Sequence, residues 1–142
     1  MRYPLFPKTL IKNIDEYKTF YHPPGEWTYL FNNHSKKWAT VNGVVGYVIA
    51  PDDFTGTLQE SYANDAGLAD AGNLVFLPAT GYRHGSNVSY VGTKGYYWSS
   101  SAYGEYGPYA AYSVDLDDFS VHPDSGIERK FGSSVRLVTE VK

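Results

Sequence analysis

The chain has 142 residues, a formal net charge of −3 and no cysteine. A chain of this length can bury a core without covalent cross-links, and we expect one domain spanning residues 1–142. The lack of cysteine excludes disulfides, thiolate zinc sites and a cysteine nucleophile. The acidic balance gives no basis for a nucleic-acid partner. No apolar run of the sequence reaches the roughly 20 residues of a membrane-spanning helix, so we expect no membrane insertion.

The first third of the chain predicts two short helices. Apolar residues recur at steps of three and four over residues 9–20, which predicts an amphipathic helix that ends at "HPPG". The segment "EWTYLFNN" (26–33) predicts a second helix with Trp27, Leu30 and Phe31 facing the core. The first residues contain no apolar stretch of the kind found in signal peptides.

The rest of the chain predicts strands joined by long loops. Asn42-Gly43 lies between two β-branched runs, which indicates a β-hairpin. Residues 52–73 have a loop-like composition, with one short turn near residues 58–62. The apolar run 74–79 predicts a buried strand, and residues 81–95 a long connection with several glycines.

The C-terminal half predicts further strands, and the element order indicates an α+β fold with a small mixed or antiparallel sheet. Short strands are expected at 96–100 and 134–141. Between them, Tyr112, Val114 and Leu116 alternate with a polar set, so the first three are expected to face the core. The polar set is Ser113, Asp115 and Asp117, which are expected to face solvent.

Tyrosine is concentrated around residues 96–112 of a chain that has 14 tyrosines in all. Tyr96, Tyr97 and Tyr112 are expected to pack the sheet. Tyr103, Tyr106 and Tyr109 lie among glycines and a proline, where a core position is harder to arrange. We therefore expect these three side chains on a contact surface. Tyrosine, serine and glycine together are typical of antibody contact loops.

Several segments occur in an order that is known from one family: "EWTYLF", "WATVNGVVGYVIAPDDF", "VFLPATGYRHG", "GYYWSSSAY" and "SVRLV". Over residues 26–138 the chain resembles the Fibrobacter major paralogous domain family of Bacteroidetes surface proteins. This resemblance implies a C-type-lectin-like fold, related to the variable proteins of diversity-generating retroelements. It implies a scaffold role for Trp98, Ser99, Ser100, Val135, Arg136 and Leu137. It implies ligand contact by Tyr103, Tyr106, Tyr109, Ser113, Asp115, Asp117, Phe119, His122 and Asp124.

Two features depart from that family. Only residues 1–25 precede the "EWTYLF" segment, so the N-terminal strand that pairs with the last strand is either supplied by "RYPLF" (2–6) or missing. The calcium and sugar signatures of animal C-type lectins are also absent, because Trp98-Ser99-Ser100 stands where Trp-Asn-Asp would be expected. Calcium-dependent binding of monosaccharides is therefore disfavoured.

Charge and codon reasoning agree with a contact surface. Residues 103–128 contain six acids and neither lysine nor arginine, which favours cationic or hydroxyl-rich ligands; a solvated sheet edge is the alternative. Adenine mutagenesis of asparagine codons cannot produce Lys, Glu, Gln, Trp or Met. Of these types only Glu105 occurs within 101–127, which is the direction expected for a diversified surface.

Enzyme chemistry finds little support in the sequence. His22, His34, His84 and His122 lack metal-ligand spacing and are expected on the surface or in loops. Asp115 and Asp117 fall short of the roughly six to eight oxygens that calcium prefers. Ser99 and Ser100 lack the surroundings of a nucleophilic serine. We therefore expect no catalytic residue, no metal and no cofactor.

The resulting hypothesis is a non-enzymatic module that binds a protein or glycan receptor through residues 101–133. The surface would be diversified by a retroelement, and the protein would act outside the cell, on the cell surface or on a virion. One alternative is a structural module of a surface or fimbria-like assembly. Another is a carbohydrate-active enzyme or an accessory domain of one. The oligomeric state does not follow from the sequence.

Overall fold

The computed structural model describes residues 3–4, 25–102, 109–135 and 138–139. This part of the chain is α+β, as predicted, with two helices and several sheets. The helices are α1 (Gly25–Asn33) and α2 (Asp65–Gly72). The strands are β1 (Tyr3–Pro4), β2 (Lys36–Val41), β3 (Val44–Ile49), β4 (Ser61–Tyr62), β5 (Val75–Pro78), β6 (Tyr82–His84), β7 (Asn87–Ser89), β8 (Lys94–Ala102), β9 (Ala110–Asp117), β10 (Val121–Glu128) and β11 (Val138–Thr139).

Two sheets form most of the structure. The first has the strand order β4-β2-β3-β5 and is mixed, because β2 runs parallel to β4 and antiparallel to β3. The second has the order β10-β9-β8 and is antiparallel. Strands β6 and β7 form a separate hairpin, and β1 pairs with β11. The β1–β11 pair places Tyr3 opposite Thr139, so the "RYPLF" segment does supply a strand that pairs near the end of the chain.

The turn between β2 and β3 confirms the predicted hairpin. Asn42 and Gly43 have φ angles of 51° and 78°. Both lie in the left-handed region, which asparagine and glycine tolerate best and which matches the natural twist of a two-residue hairpin. The turn thereby fixes the register, with Val41 opposite Val44 and Trp38 opposite Tyr47.

Strand β3 is the centre of the packing because both of its faces are buried. Tyr47 and Ile49 face a core shared by α1 and the two sheets, whereas Val48 and Ala50 face a second core beneath α2. The shared core consists of Trp27, Leu30, Phe31, Tyr47, Ile49, Val75, Leu77, Tyr97, Val114 and Leu116. The inward residues predicted for α1 and β9 are thus confirmed, except that Tyr112 is only half-buried.

Two tyrosine hydroxyls cross the boundary between the main sheets. Tyr47 of β3 donates a hydrogen bond of 2.7 Å to the carbonyl oxygen of Asp117 in β9. In return, Tyr97 of β8 donates one of 2.7 Å to the carbonyl oxygen of Pro78 in β5. Each ring is buried in the shared core while its hydroxyl satisfies a main-chain acceptor of the opposite sheet. Part of the tyrosine content of the chain is therefore explained by the joining of two sheets.

Several elements of this fold were not predicted, including the strands β4 and β10. Helix α2 lies within the expected loop 52–73; Asn64 caps its start by accepting a 2.9 Å bond from the Gly67 amide. Strands β6 and β7 form a hairpin within the expected connection. The predicted helix at 9–20 lies outside the described residues, as does half of the predicted strand at 134–141. The described half includes β11. No helix in the described ranges combines the length and hydropathy needed to cross a membrane.

Candidate ligand-binding surface

The three-stranded sheet has one face in the core and one face, here called the outer face, that is directed away from it. On β8 and β9 the core face carries Tyr97, Val114 and Leu116. Because successive side chains of a strand alternate, their neighbours belong to the outer face. The strand register adds the residues of β10 that lie opposite them. The outer face consists of Lys94, Tyr96, Trp98, Ser113, Asp115, Asp117, His122 and Ser125.

Asp115 occupies the middle of the outer face, between Tyr96 on β8 and His122 on β10. Its carboxylate accepts a hydrogen bond of 2.9 Å from the Ser125 hydroxyl and one of 3.3 Å from the Ser113 hydroxyl. Burial raises the pKa of Asp115 even though these two bonds and the neighbouring His122 act in the opposite direction. The carboxylate is thus fixed in position and partly removed from water.

Tyr96 shares this environment. Burial, followed by the charge of Asp115, raises the pKa of Tyr96 to about 12. The phenol therefore remains neutral and keeps its proton as a hydrogen-bond donor at any physiological pH. The structure thus places a neutral phenol beside a partly dehydrated carboxylate.

Five aromatic rings meet at the edge of the outer face, and we call them the aromatic cluster: Tyr82, His84, Tyr90, Tyr96 and Phe131. The Tyr82 ring lies at the centre, with centroid distances of 5.1 Å to Tyr96, 5.1 Å to Phe131 and 5.7 Å to Tyr90. The Tyr96 and Phe131 rings are nearly perpendicular to it, a favourable arrangement for aromatic pairs. His84 stacks on Phe131 at 4.6 Å.

Main-chain hydrogen bonds hold the β6–β7 hairpin, and with it the aromatic cluster, against the rest of the protein. Arg83 and Gly132 exchange two bonds, of 2.8 Å and 2.6 Å, and the Gly81 amide donates one of 2.8 Å to Lys94. Gly81 has a φ of +65°, and a side chain there would overlap the carbonyl oxygen of Ser89. Only glycine fits this junction, so the hairpin approaches β8 in one fixed geometry.

Among the described residues, those predicted to contact ligand are not all close together, although His122 lies opposite Asp115. Tyr109 and Phe119 are 77% and 91% exposed, but they lie at opposite ends of β9, roughly 25 Å apart for a strand of this length. His122 and Asp124 are exposed on β10. Tyr103 and Tyr106 lie outside the described residues.

Two of the predicted contact residues make hydrogen bonds within the protein. Ser113 is 0% exposed, and its hydroxyl is used to hold Asp115. Asp117 accepts bonds of 2.9 Å from the amides of Phe119 and Ser120, and so closes the turn between β9 and β10. Burial opposes the ionisation of Asp117, but these bonds outweigh it and lower its pKa. The expectation that Ser113 faces solvent was wrong, because the alternation of side chains does not show what covers the polar side of a strand.

Other expectations need correction as well. His34, expected on the surface, is buried: its Nε2 lies 2.6 Å from the carboxylate of Asp52, and its Nδ1 lies 3.2 Å from the Leu30 carbonyl oxygen. Val135, assigned to the scaffold by resemblance, is exposed. Tyr82 and Tyr90, which sequence reasoning missed as site residues, belong to the aromatic cluster. Their only signal was the aromatic and glycine content of segment 81–95.

The outer face is not purely acidic, because it carries Lys94 as well as Asp115 and Asp117. Lys94 on β8 lies opposite Asp117 on β9, and Lys130 pairs with Glu128 at 2.9 Å. Within the described ranges, no group of three or more His, Asp or Glu side chains is close enough to hold a metal ion. The arrangement offers fixed aromatic rings, a hydrogen-bonded carboxylate and an ammonium group, which together suit the recognition of a ligand.

A family model described as a domain of unknown function (DUF8237) matches residues 27–138. The chain belongs to this family. The match covers the strands of both main sheets, the β6–β7 hairpin and the aromatic cluster, so the candidate surface lies inside the DUF8237 domain. Searches of curated proteins and of solved structures found no match.

Proposed function

We propose that this DUF8237 domain is a non-enzymatic ligand-binding module with a C-type-lectin-like fold. It binds a protein or glycan receptor through the outer face of the three-stranded sheet and the adjoining aromatic cluster. Its place of action is outside the cell, on the cell surface or on a virion, and a retroelement diversifies its exposed positions. The resemblance of residues 26–138 to the Fibrobacter major paralogous domain family supports the fold, the location and the diversification.

One observation carries the proposal for ligand binding: Asp115 and the aromatic cluster are held in fixed positions without being fully buried. Two serine hydroxyls orient the Asp115 carboxylate, and edge-to-face contacts orient Tyr82. Burying a carboxylate in this way opposes its ionisation, so folding alone gains little from Asp115. A ligand that replaces the lost water contacts would explain why an acid occupies this position.

The binding mechanism is preorganisation. Tyrosine has few rotatable bonds, and these rings are already restrained by one another, so little side-chain entropy is lost on binding. The same holds for the Asp115 carboxylate. The sheet and the hairpin bonds between Arg83 and Gly132 provide the rigid support.

Binding can be tested with labelled protein on two arrays, one of glycans and one of purified bacterial surface proteins. We expect Asp115→Ala to weaken the strongest interaction at least tenfold and to leave the melting temperature close to that of the wild type. Val44→Ala, an exposed apolar residue on β3 in the other sheet, is the matched control and should bind normally. No binding on either array, or binding unchanged by Asp115→Ala, would refute the proposal.

A second candidate function, a structural module of a surface assembly, is favoured by a different observation. Val88, Tyr90 and Val91 are exposed and lie close together in sequence at the end of β7. Apolar groups of this kind are found at contacts between subunits. Concentration-dependent self-association in size-exclusion chromatography that is lost in Val88→Ser/Val91→Ser would support this function over receptor binding.

A further inference from the structure

We propose that the aromatic cluster and Asp115 form a subsite for an uncharged sugar ring, with Tyr90 as the stacking platform. This inference rests on the proposed function and narrows its ligand to a neutral glycan. It also moves the centre of the binding surface from segment 101–133 to the β6–β7 hairpin and the loop that follows it.

The backbone of Tyr90 adopts a strained conformation. Its φ of +64° lies in the left-handed region, where a residue with a bulky side chain costs on the order of 1 kcal/mol. Glycine or asparagine would fit this conformation with less strain. The side chain is 49% exposed, so core packing does not account for a tyrosine at this position. Among the described residues, the ring contacts Tyr82 and Lys94, both at the surface, and a strained backbone at such an exposed residue points to a role in function.

The loop around Tyr90 enforces that conformation. The carbonyl oxygen of Tyr90 accepts bonds from the Thr93 amide at 3.1 Å, the Lys94 amide at 2.9 Å and the Thr93 hydroxyl at 3.1 Å. The Gly92 amide donates a bond of 2.8 Å to Ala79 in the connection after β5. The ring is therefore presented by a closed loop that is fastened to the scaffold, not by a loose segment.

The charges around the cluster select against ionic ligands. The Lys94 ammonium lies 5.3 Å from the centroid of the Tyr90 ring, so a cationic ligand placed against that ring would be repelled by the charge of Lys94. An anionic ligand would instead meet Asp115, and Asp117 opposite Lys94. A neutral ligand with many hydroxyl groups avoids both repulsions and can use the ammonium as donor and the carboxylate as acceptor.

The remaining hydrogen-bonding capacity agrees with a sugar. Each Asp115 oxygen accepts one serine hydroxyl, which leaves each oxygen a further lone pair for a ligand hydroxyl. Two adjacent hydroxyls of a pyranose match the two oxygens of one carboxylate. The Tyr82 ring contacts both Tyr90, at 5.7 Å, and Tyr96, at 5.1 Å. Tyr96 in turn lies opposite Asp115 in the strand pairing, so the polar and the stacking groups belong to one site. The C–H face of the sugar ring would lie on the exposed ring of Tyr90.

The test uses a Tyr90→Asn variant, because asparagine accepts a positive φ and replaces the phenol ring by a small amide that cannot serve as a stacking platform. Wild type, Tyr90→Asn and the control Val44→Ala are applied to an array of neutral, amine-bearing, and sialylated or sulfated glycans, and their melting temperatures are measured. We expect wild type and Val44→Ala to bind neutral glycans. Tyr90→Asn should bind them at least tenfold more weakly while melting at the same temperature or higher.

Three results would overturn the inference. The first is binding of the wild type only to charged glycans or only to proteins, which leaves the proposed function standing. The second is neutral-glycan binding that Tyr90→Asn does not weaken. The third is a clear fall in the melting temperature of Tyr90→Asn, which would make Tyr90 a stabilising residue. The absence of any binding on both arrays would instead refute the proposed function.

Discussion

The reciprocal hydrogen bonds of Tyr47 and Tyr97 give the most direct test of how the two main sheets are joined. The changes Tyr47→Phe and Tyr97→Phe each remove one hydroxyl and leave the buried ring in place. The carbonyl oxygens of Asp117 and Pro78 then lose a donor at 2.7 Å in a partly buried setting. Burial, followed by the charges of Asp117 and Asp118, raises the pKa of Tyr47, so its hydroxyl is a dependable donor at neutral pH.

The size of the effect follows from these contacts. Removing one partner of a buried hydrogen bond costs about 1–3 kcal/mol, and partial solvent access to the acceptor puts each variant near the lower end, about 1–2 kcal/mol. The entropy of unfolding of a chain of this length is roughly 0.3 kcal/mol per kelvin at the melting temperature. Each variant should therefore melt about 3–7 °C below the wild type.

Differential scanning calorimetry with urea unfolding measures both quantities. Tyr109→Phe is the matched control, because its side chain is 77% exposed, and it should change the unfolding free energy by less than about 0.5 kcal/mol. If Tyr47→Phe and Tyr97→Phe both melt within 1 °C of the control, the two bonds do not stabilise the junction of the sheets. The joining of the two sheets would then not explain part of the tyrosine content of the chain.

Three further predictions concern the core and the outer face. Gly46→Ala should lower the unfolding free energy by about 3 kcal/mol or more in urea titration, because an added methyl group overlaps the carbonyl oxygen of Leu77; a loss below 1 kcal/mol would contradict the packing between β3 and β5. Asp115→Asn should become progressively more stable relative to wild type as the pH rises from about 4 to neutrality. Because the pKa of Asp115 is raised in the folded protein, ionisation of this carboxyl group lowers the free energy of unfolding of the wild type, and asparagine does not ionise. A stability difference between the two proteins that does not depend on pH would refute this. The difference between the ultraviolet titration curves of wild type and Tyr96→Phe should show one phenol that ionises near pH 12. Above about pH 10 Tyr96 should destabilise the fold, because there the phenol releases its proton only in the unfolded chain. Ionisation near pH 10 in the folded protein would refute the environment assigned to Tyr96.

Local patterns predicted the elements whose physical causes are local. The helix α1 follows from the spacing of Trp27, Leu30 and Phe31, and the hairpin from Asn42-Gly43. The buried strand β5 and the inward side of β9 follow from apolar residues alone. The helix α2 was not predicted because it is two turns long and buries only Leu68, so its apolar residues show no helical period.

The candidate site was predicted less well, because its residues come together only through pairing between distant segments. Asp115 was identified from the sequence, but its fixed position depends on Ser125, ten residues away on another strand. The cluster around Tyr82 needs Tyr96 from β8 and Phe131 from beyond β10. No periodicity within one segment records such contacts.

By itself, the amino-acid sequence determined the helix α1, the turn between β2 and β3, the strand β5 and the core-facing side of β9, since these depend on neighbours within a few residues. Only the tertiary structure decided that Ser113 is covered, that His34 is buried, and that the half-exposed ring of Tyr90 lies against Tyr82. These outcomes depend on which strands pair and in which register, and the free energy of that pairing is shared among segments far apart in sequence.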